Sequence, residues 1–468
     1  MTSAPVAGAS GATPPGAPRS GELRRELGLF SAAMIVVGGI IGGGIFFTPA
    51  VVARALPSGA WILGIWIAGG VVALAGALTY AELGAMLPDA GGPYVYIREA
   101  FGRLPAFLYG WMVLASIATA ADAAVAVAFA QYAGRFIDLS LVGGTLPLAT
   151  AAIVLLTVTN YIGIRPGAAV QNALTVVKIA ALALLIAGGL LAWGRLGVAT
   201  PVVAAPAAPT STIAMIAGAF VPVLFTIGGW QQMNMVAGEI RDPQRNLPRA
   251  LALGIAIVII CYLGVNAVYL RALGRDGLAV STAVAADTVQ RIVGPVGATI
   301  ITLAAMLSFL GVVNVIILTN PRVLYALARD GTFLPSAAKI HPRYGTPYVS
   351  IAIMGVWTLV LLWGLQGSLD KLLTAVVFPD WIFFGLGGAS VFVLRRTRPD
   401  APRPYRVWGY PVVPAFFVLA ACIAVASAIR SAPTLSAFGA LLLVMGIVVY
   451  LMTIRRRGAA PIDGVGVD

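Results

Sequence analysis

Three ionisable side chains stand inside long apolar stretches of the chain. They are Asp122 in ASIATAADAAVAVAF, Lys178 in VQNALTVVKIAALALLI and Asp380 in FPDWIFF. Residues of this kind at such depth hold ions, pair with one another or carry protons, because an idle charge there costs at least ~2.5–3.5 kcal/mol. Lys178 lies about ten residues into its run, or roughly 15 Å at a helical rise. A lysine stem does not snorkel that far, so its ammonium must face the interior of a helix bundle, where it could titrate. Asp122 could contact a ligand, pair with Lys178, carry a proton, or hydrogen-bond neighbouring hydroxyls. Asp380 raises the same question at a less certain depth. Glu82 and Glu239 fall near helix ends, where a structural role or a gate with nearby arginines suits them better than ligand contact.

The second chemical feature is backbone rather than side chain. The stretch MIVVGGIIGGGIFFTP, 34–49, crowds Gly38, Gly39, Gly42, Gly43 and Gly44 into the middle of an apolar run. Each glycine costs a helix interior about 1 kcal/mol relative to alanine, so a break there is expected. The sequence FVPVLFTIGGWQQMNMVAGEI repeats the pattern with Pro222, Phe225, Gly228 and Gly229. Backbone freed by such breaks must face protein or a water-lined cavity. Close packing of a neighbouring helix on small residues is the alternative for either stretch taken alone.

The elements that position these residues follow from composition. The 468 residues are 60% hydrophobic and 10% charged, against roughly 25% charged in a soluble domain. This is the composition of a polytopic all-α membrane protein. Apolar segments long enough to span a bilayer are expected at 28–53, 60–86, 105–133, 145–163, 168–193, 212–237, 249–272, 295–328, 347–365, 370–394, 411–430 and 434–454. Residues 1–27 read as a disordered tail, 28–194 and 195–394 as two five-helix halves, 395–454 as a loop with two extra helices, and 455–468 as a second tail. The interrupted spans are then the first and the sixth, corresponding positions in the two halves, which is the best pointer in a sequence to a transporter binding site.

The net charge of +13 does not imply nucleic acid, since the arginines and lysines sit in connections between apolar runs. Placing both termini in the cytoplasm puts more than twice as many of them on that side, as a plasma or inner membrane protein would have. Cys261 and Cys422 both lie in apolar runs and cannot make an extracellular disulfide framework. His341 is the single histidine, which excludes a histidine-built metal or triad site. No nucleotide-binding glycine loop or nucleophile–histidine pair occurs, so neither an enzyme nor a bound cofactor is expected.

The motifs GGIIGGGIFFTP, YAELGAMLPDAGGPYVYIREAFG (80–102), LFTIGGW (224–230), GEIRDPQRNLPRAL (238–251), NPRVLYALARDGTFLP (320–335) and RPYRVWGYPVVP (403–414), in this order, resemble the amino acid–polyamine–organocation transporter superfamily. Its bacterial permeases and L-type exchangers are the nearest groups. The resemblance implies a LeuT-like fold with a 5+5 inverted repeat and an amino acid substrate, a neutral one, moved by sodium-independent exchange or proton symport. It places the substrate carboxylate on N–H groups around Gly42, Gly43 and Gly44, and the ammonium on carbonyls near Ile40, Ile41, Phe225 and Gly228. Phe225 matches the bulky gate of the family, and Gly43 departs from a common serine. Lys178 matches a lysine that stands where sodium-coupled relatives hold sodium, tying helix 1 to helix 8, with Ser308 and Asn314 as partners. L-type exchangers of animals join a single-span glycoprotein through a cysteine between helices 3 and 4. Residues 134–144 contain none, so no disulfide-linked accessory subunit is expected. A polyamine or organic-cation carrier is the rival reading, which Asp122 would favour. A non-transporting amino acid sensor is a further rival, and such proteins usually carry a large soluble domain or long tails.

Overall fold

Apolar runs of this length must close their backbone hydrogen bonds within themselves. The computed structural model shows them doing so as helices. It describes residues 23–197, 211–368, 372, 377–431 and 433–457. The first run is two helices, α1 (Leu29–Ile40) and α2 (Gly44–Ala55), bent by 40° at the glycines. α3 (Gly59–Met86) follows, then a short α4 (Pro93–Phe101) between Gly92 and Gly102, both at positive φ. α5 (Arg103–Met112) passes through a π-helical turn, Val113–Ile117, into α6 (Ala118–Ala133). α7 (Thr145–Tyr161) and α8 (Ile164–Leu191) follow.

After residues 198–210, which lie outside the described residues, α9 (Thr212–Thr226) ends at the second break and resumes as the single turn α10 (Gln232–Met235). Next come α11 (Pro243–Val280), kinked at Gly274, and α12 (Val284–Val293). α13 (Pro295–Thr319) stops one residue before Pro321, which begins α14 (Pro321–Arg329). α15 (Tyr348–Gly364), α16 (Val377–Thr397), α17 (Val412–Ser431) and α18 (Pro433–Arg457) finish the chain.

Seven described helices are long and apolar enough to cross a membrane alone, and eight if the bent α1–α2 pair is one span. The expected spans at 145–163, 212–237 and 347–365 correspond to shorter apolar helices, Thr145–Tyr161, Met215–Thr226 and Tyr348–Gly364.

α3 packs along α11, and α6 along α13. α1 lies between α11, α8 and α13, while α2 packs on α9. This arrangement sets both breaks in the middle of the bundle. The tail expected over 1–27 is shorter than that. The N–H groups of Glu26 and Leu27 donate to Glu239 O, and Arg241 N–H donates to Leu27 O, so the chain just before α1 is docked. Residues 1–22 and 458–468 lie outside the described residues, and α18 runs past the expected boundary at 454.

Candidate functional site

The break in the first run separates two helix ends of opposite polarity. The C-terminal end of α1 presents carbonyls that lack intrahelical donors. Lys178, buried on α8, donates from Nζ to Gly38 O at 3.0 Å and Ile41 O at 2.7 Å. A cation at a helix C-terminus is favoured by the macrodipole as well as by the hydrogen bonds. Ser308 on α13 donates to the carbonyls of Ile41 and Gly42, each at 3.2 Å. The lysine stem runs beside Gly311 of α13, where a Cβ would lie 2.8 Å from both Cε and Nζ. Lys178 and Ser308 thus meet on one carbonyl and join α8, α13 and α1.

Asn314 does not belong to this group, contrary to expectation. It donates to Gly167 O at 3.1 Å and to Gln171 Oε1 at 2.9 Å, and accepts from Asn160 Nδ2 at 3.0 Å. It therefore ties α13 to α7 and α8, two turns along the helix from Ser308.

The other side of the break is the start of α2. The N–H groups of Gly43, Gly44 and Ile45 have no backbone acceptor among the described residues, and no side chain caps the helix. Unspent N–H groups at a helix N-terminus form a site for an anion such as a carboxylate. Gly42 N–H is not one of them, since it turns back to Ile40 O at 2.8 Å.

The ammonium acceptors expected at Ile40 and Ile41 also need correction. Ile40 O takes Gly42 N–H and the Tyr262 hydroxyl at 3.0 Å, and Ile41 O takes Lys178 and Ser308. A carbonyl has two lone pairs, so both oxygens are fully used. The carbonyl end of α9, at Phe225 to Gly228, remains as the negative pole of the second break. The two breaks touch where Gly39 and Gly229 cross. A Cβ on Gly229, at φ +103°, would lie 2.4 Å from Gly39 O. Thr48 and Thr226 hydroxyls, 2.8 Å apart, link α2 to α9 beyond the crossing.

Both breaks open on one cavity of about 480 Å³. Gly42, Gly43, Gly44, Phe225 and Gly228 line it, with Phe225 41% exposed there. Gly43 cannot carry a side chain without movement, because the Phe309 ring would lie 2.0 Å from its Cβ. Val113 and Ile117 of the π-helical turn form another wall; such turns gather at functional sites. Asp122 does not line the cavity. It is buried in α6 with one carboxylate oxygen unpartnered and makes no ion pair with Lys178 among the described residues. Asp380 does line it, beside Trp381 and Phe384.

Glu239 and Glu82 lie at the arginine-rich end of the bundle. Arg322 grips Glu239 with two bonds, at 2.7 and 2.9 Å, the pair being 1% and 0% exposed. Arg395 grips Glu82 at 2.8 and 2.7 Å. Sequence reasoning missed Arg322, Tyr262 and Phe309. The signal for the first two was a polar group within an apolar run; nothing in the local sequence marks Phe309 as the neighbour of Gly43.

A helical bundle in which two interrupted helices expose backbone poles to a central cavity is the architecture of a membrane permease. The chain belongs to the amino acid permease family, whose profile matches residues 27–453. It is 31% identical over 443 residues to the b(0,+)-type amino acid transporter 1 of Mus musculus, covering 93% of this chain and 89% of that one. It is 32% identical over 455 residues to the large neutral amino acids transporter small subunit 2 of Homo sapiens, covering 96% and 84%. It is 32% identical over 444 residues to the cystine/glutamate transporter of Pongo abelii, covering 94% and 87%. These are transporters and not enzymes.

Proposed function

We propose that the chain is a sodium-independent secondary amino acid transporter working by alternating access. The substrate carboxylate sits at the start of α2 and its ammonium at the carbonyl end of α9. Two five-helix halves, 28–194 and 195–394, rock about this site within twelve spans, with both termini on the cytoplasmic side of the plasma membrane. Phe225 closes over the substrate.

The observation that carries the reading is the Lys178 ammonium on Gly38 O and Ile41 O. A cation fixed on these carbonyls holds the broken helix in shape, so no inorganic cation is needed there. One relative is named a small subunit, yet this chain has only Cys261, buried in α11, and Cys422, on the apolar helix α17. We therefore propose that it acts without a disulfide-linked partner.

The test is uptake of labelled amino acids into proteoliposomes holding the purified single chain. Uptake in sodium-free buffer, unchanged when sodium replaces choline, is the expected result. A strict sodium requirement, or activity that arises only with a second polypeptide, would count against it.

A further inference from the structure

Asp380 is the only Asp, Glu, Lys, Arg or His side chain among the described residues that line the cavity. The other polar side chains there, Gln131, Gln232, Asn320, Thr226 and Tyr132 among them, are uncharged, and no ion pair involves Asp380 among the described residues. Among the described residues, then, no protein cation neutralises this carboxylate on the cavity wall.

It stands on a different helix from those that carry the two breaks. α16 packs on α3, α4, α17, α18 and the π-helical turn, while α2 packs on α9, α11, α12 and α3. Asp380 sits with Trp381 and Phe384 on the α16 wall of the cavity that the start of α2 also lines. Trp381 and Phe384 stand edge to face with centroids 5.3 Å apart. Aromatic faces beside a carboxylate suit an alkyl stem that ends in a positive group.

We infer that Asp380 selects amino acids whose side chain ends in an ammonium or guanidinium group, the headgroup on the helix breaks and the distal cation on this carboxylate. The inference rests on the cavity being an amino acid site, and it replaces the neutral substrate expected from sequence. A neutral side chain entering this space would strip water from Asp380 without supplying a partner, which is unfavourable. A cationic one forms a charge-assisted hydrogen bond in a partly dry site. The same carboxylate repels aspartate and glutamate.

Competition uptake in proteoliposomes tests this, with arginine, lysine, leucine, glutamate and agmatine as unlabelled competitors. Wild-type protein should take arginine and lysine with an apparent affinity at least about tenfold above leucine. Asp380→Asn should collapse the arginine-to-leucine ratio towards one. Because the ratio is internal to each preparation, a reduced yield of folded protein does not disturb it, and Asp380→Ser should collapse it too. Leucine preferred by the wild type, or a ratio unmoved in both variants, overturns the inference while leaving amino acid transport in place. So does leucine uptake whose pH dependence disappears in Asp380→Asn with the ratio unmoved, which would assign the carboxylate to proton transfer. Agmatine competing as well as arginine overturns the amino acid part, since it lacks the carboxylate. No uptake of any amino acid overturns the transport reading beneath it.

Discussion

The two ends of the cavity are built differently. At the arginine-rich end the chain is tied by ion pairs. Arg322–Glu239 is fully buried, a partly exposed Arg395 reaches the buried Glu82, and Arg98 reaches Asp330. The backbone joins in, with Leu27 bridged to Ile240 immediately before α1. At the opposite end the walls meet through rings: Tyr132 against Phe309 at 5.0 Å, with the Arg135 guanidinium over Tyr132 at 4.9 Å. Rings slide past one another with little loss, whereas a buried ion pair has to separate into something that solvates both charges. The difference teaches that this conformation is latched at the arginine-rich end. Opening there requires the chain leading into α1 and the segment after α10 to part, because Leu27 and Glu239 lie on those two segments.

The largest effect is expected from cutting the buried latch on one side. Arg322→Met leaves Glu239 buried and uncompensated, and removal of one partner of such a pair costs about 3–5 kcal/mol. Denaturation of the detergent-solubilised protein should show this loss. Adding Glu239→Gln should recover most of it, and a double variant as unstable as the single one would refute the pairing.

Next comes the tie between the latch and the site. Lys178→Ala deletes two charge-assisted bonds to the end of α1, interactions of about 1.5–3 kcal/mol each for charged groups. Uptake should fall by at least about tenfold on that scale, with a smaller change in the amount of folded protein. An unchanged transport rate would detach Lys178 from the cycle.

A smaller effect tests the free pole itself. In Gly42→Val a Cβ would stand 3.2 Å from the Val312 side chain, and the branches would narrow the approach to the N–H groups of α2. Overpacking of this kind costs roughly 1–3 kcal/mol. Substrate should lose binding by thermal shift while expression persists. Wild-type affinity in a folded variant would remove this break from the site.

The smallest effect is at the rim of the arginine-rich end. Burial alone would push the Glu99 carboxyl up, but hydrogen bonds and charge from Arg98 and then Arg398 outweigh it and hold it below the usual range. A depressed carboxylate stabilises the fold above its unfolded value near 4.3, and that contribution fades as pH falls through the folded value. Glu99→Gln should therefore lower stability at pH 7 by about 1 kcal/mol or less and flatten the acid limb of a stability profile. An equally steep limb in the variant would show that Glu99 is not its source.

Backbone and composition could be read from the chain directly. The glycine clusters locate both breaks because glycine disfavours helix wherever it sits, and an apolar flank leaves a broken span as the outcome. Lys178 was legible for a similar reason: its depth follows from counting residues, and depth alone compels an interior partner. Arg322 was equally legible in principle, a buried arginine within NPRVLYALAR, but a nearby helix end offered it a solvent-facing alternative.

What the sequence by itself determined about this protein is which residues lie deep and where its helices fail. Those follow from local propensity and from the length of apolar runs. Only the tertiary structure decided what each deep residue faces. Asp122 and Asp380 look alike in sequence, a lone acid among apolar neighbours, yet α6 turns the first into protein and α16 turns the second towards the cavity. Likewise Ser308 meets the broken helix and Asn314 does not, although both lie on α13. The physical reason is that side-chain direction around a helix depends on its rotation about its own axis. That rotation is fixed by packing against neighbours distant in the chain, and where a helix is apolar all round, as α13 is, no local pattern of residues records it.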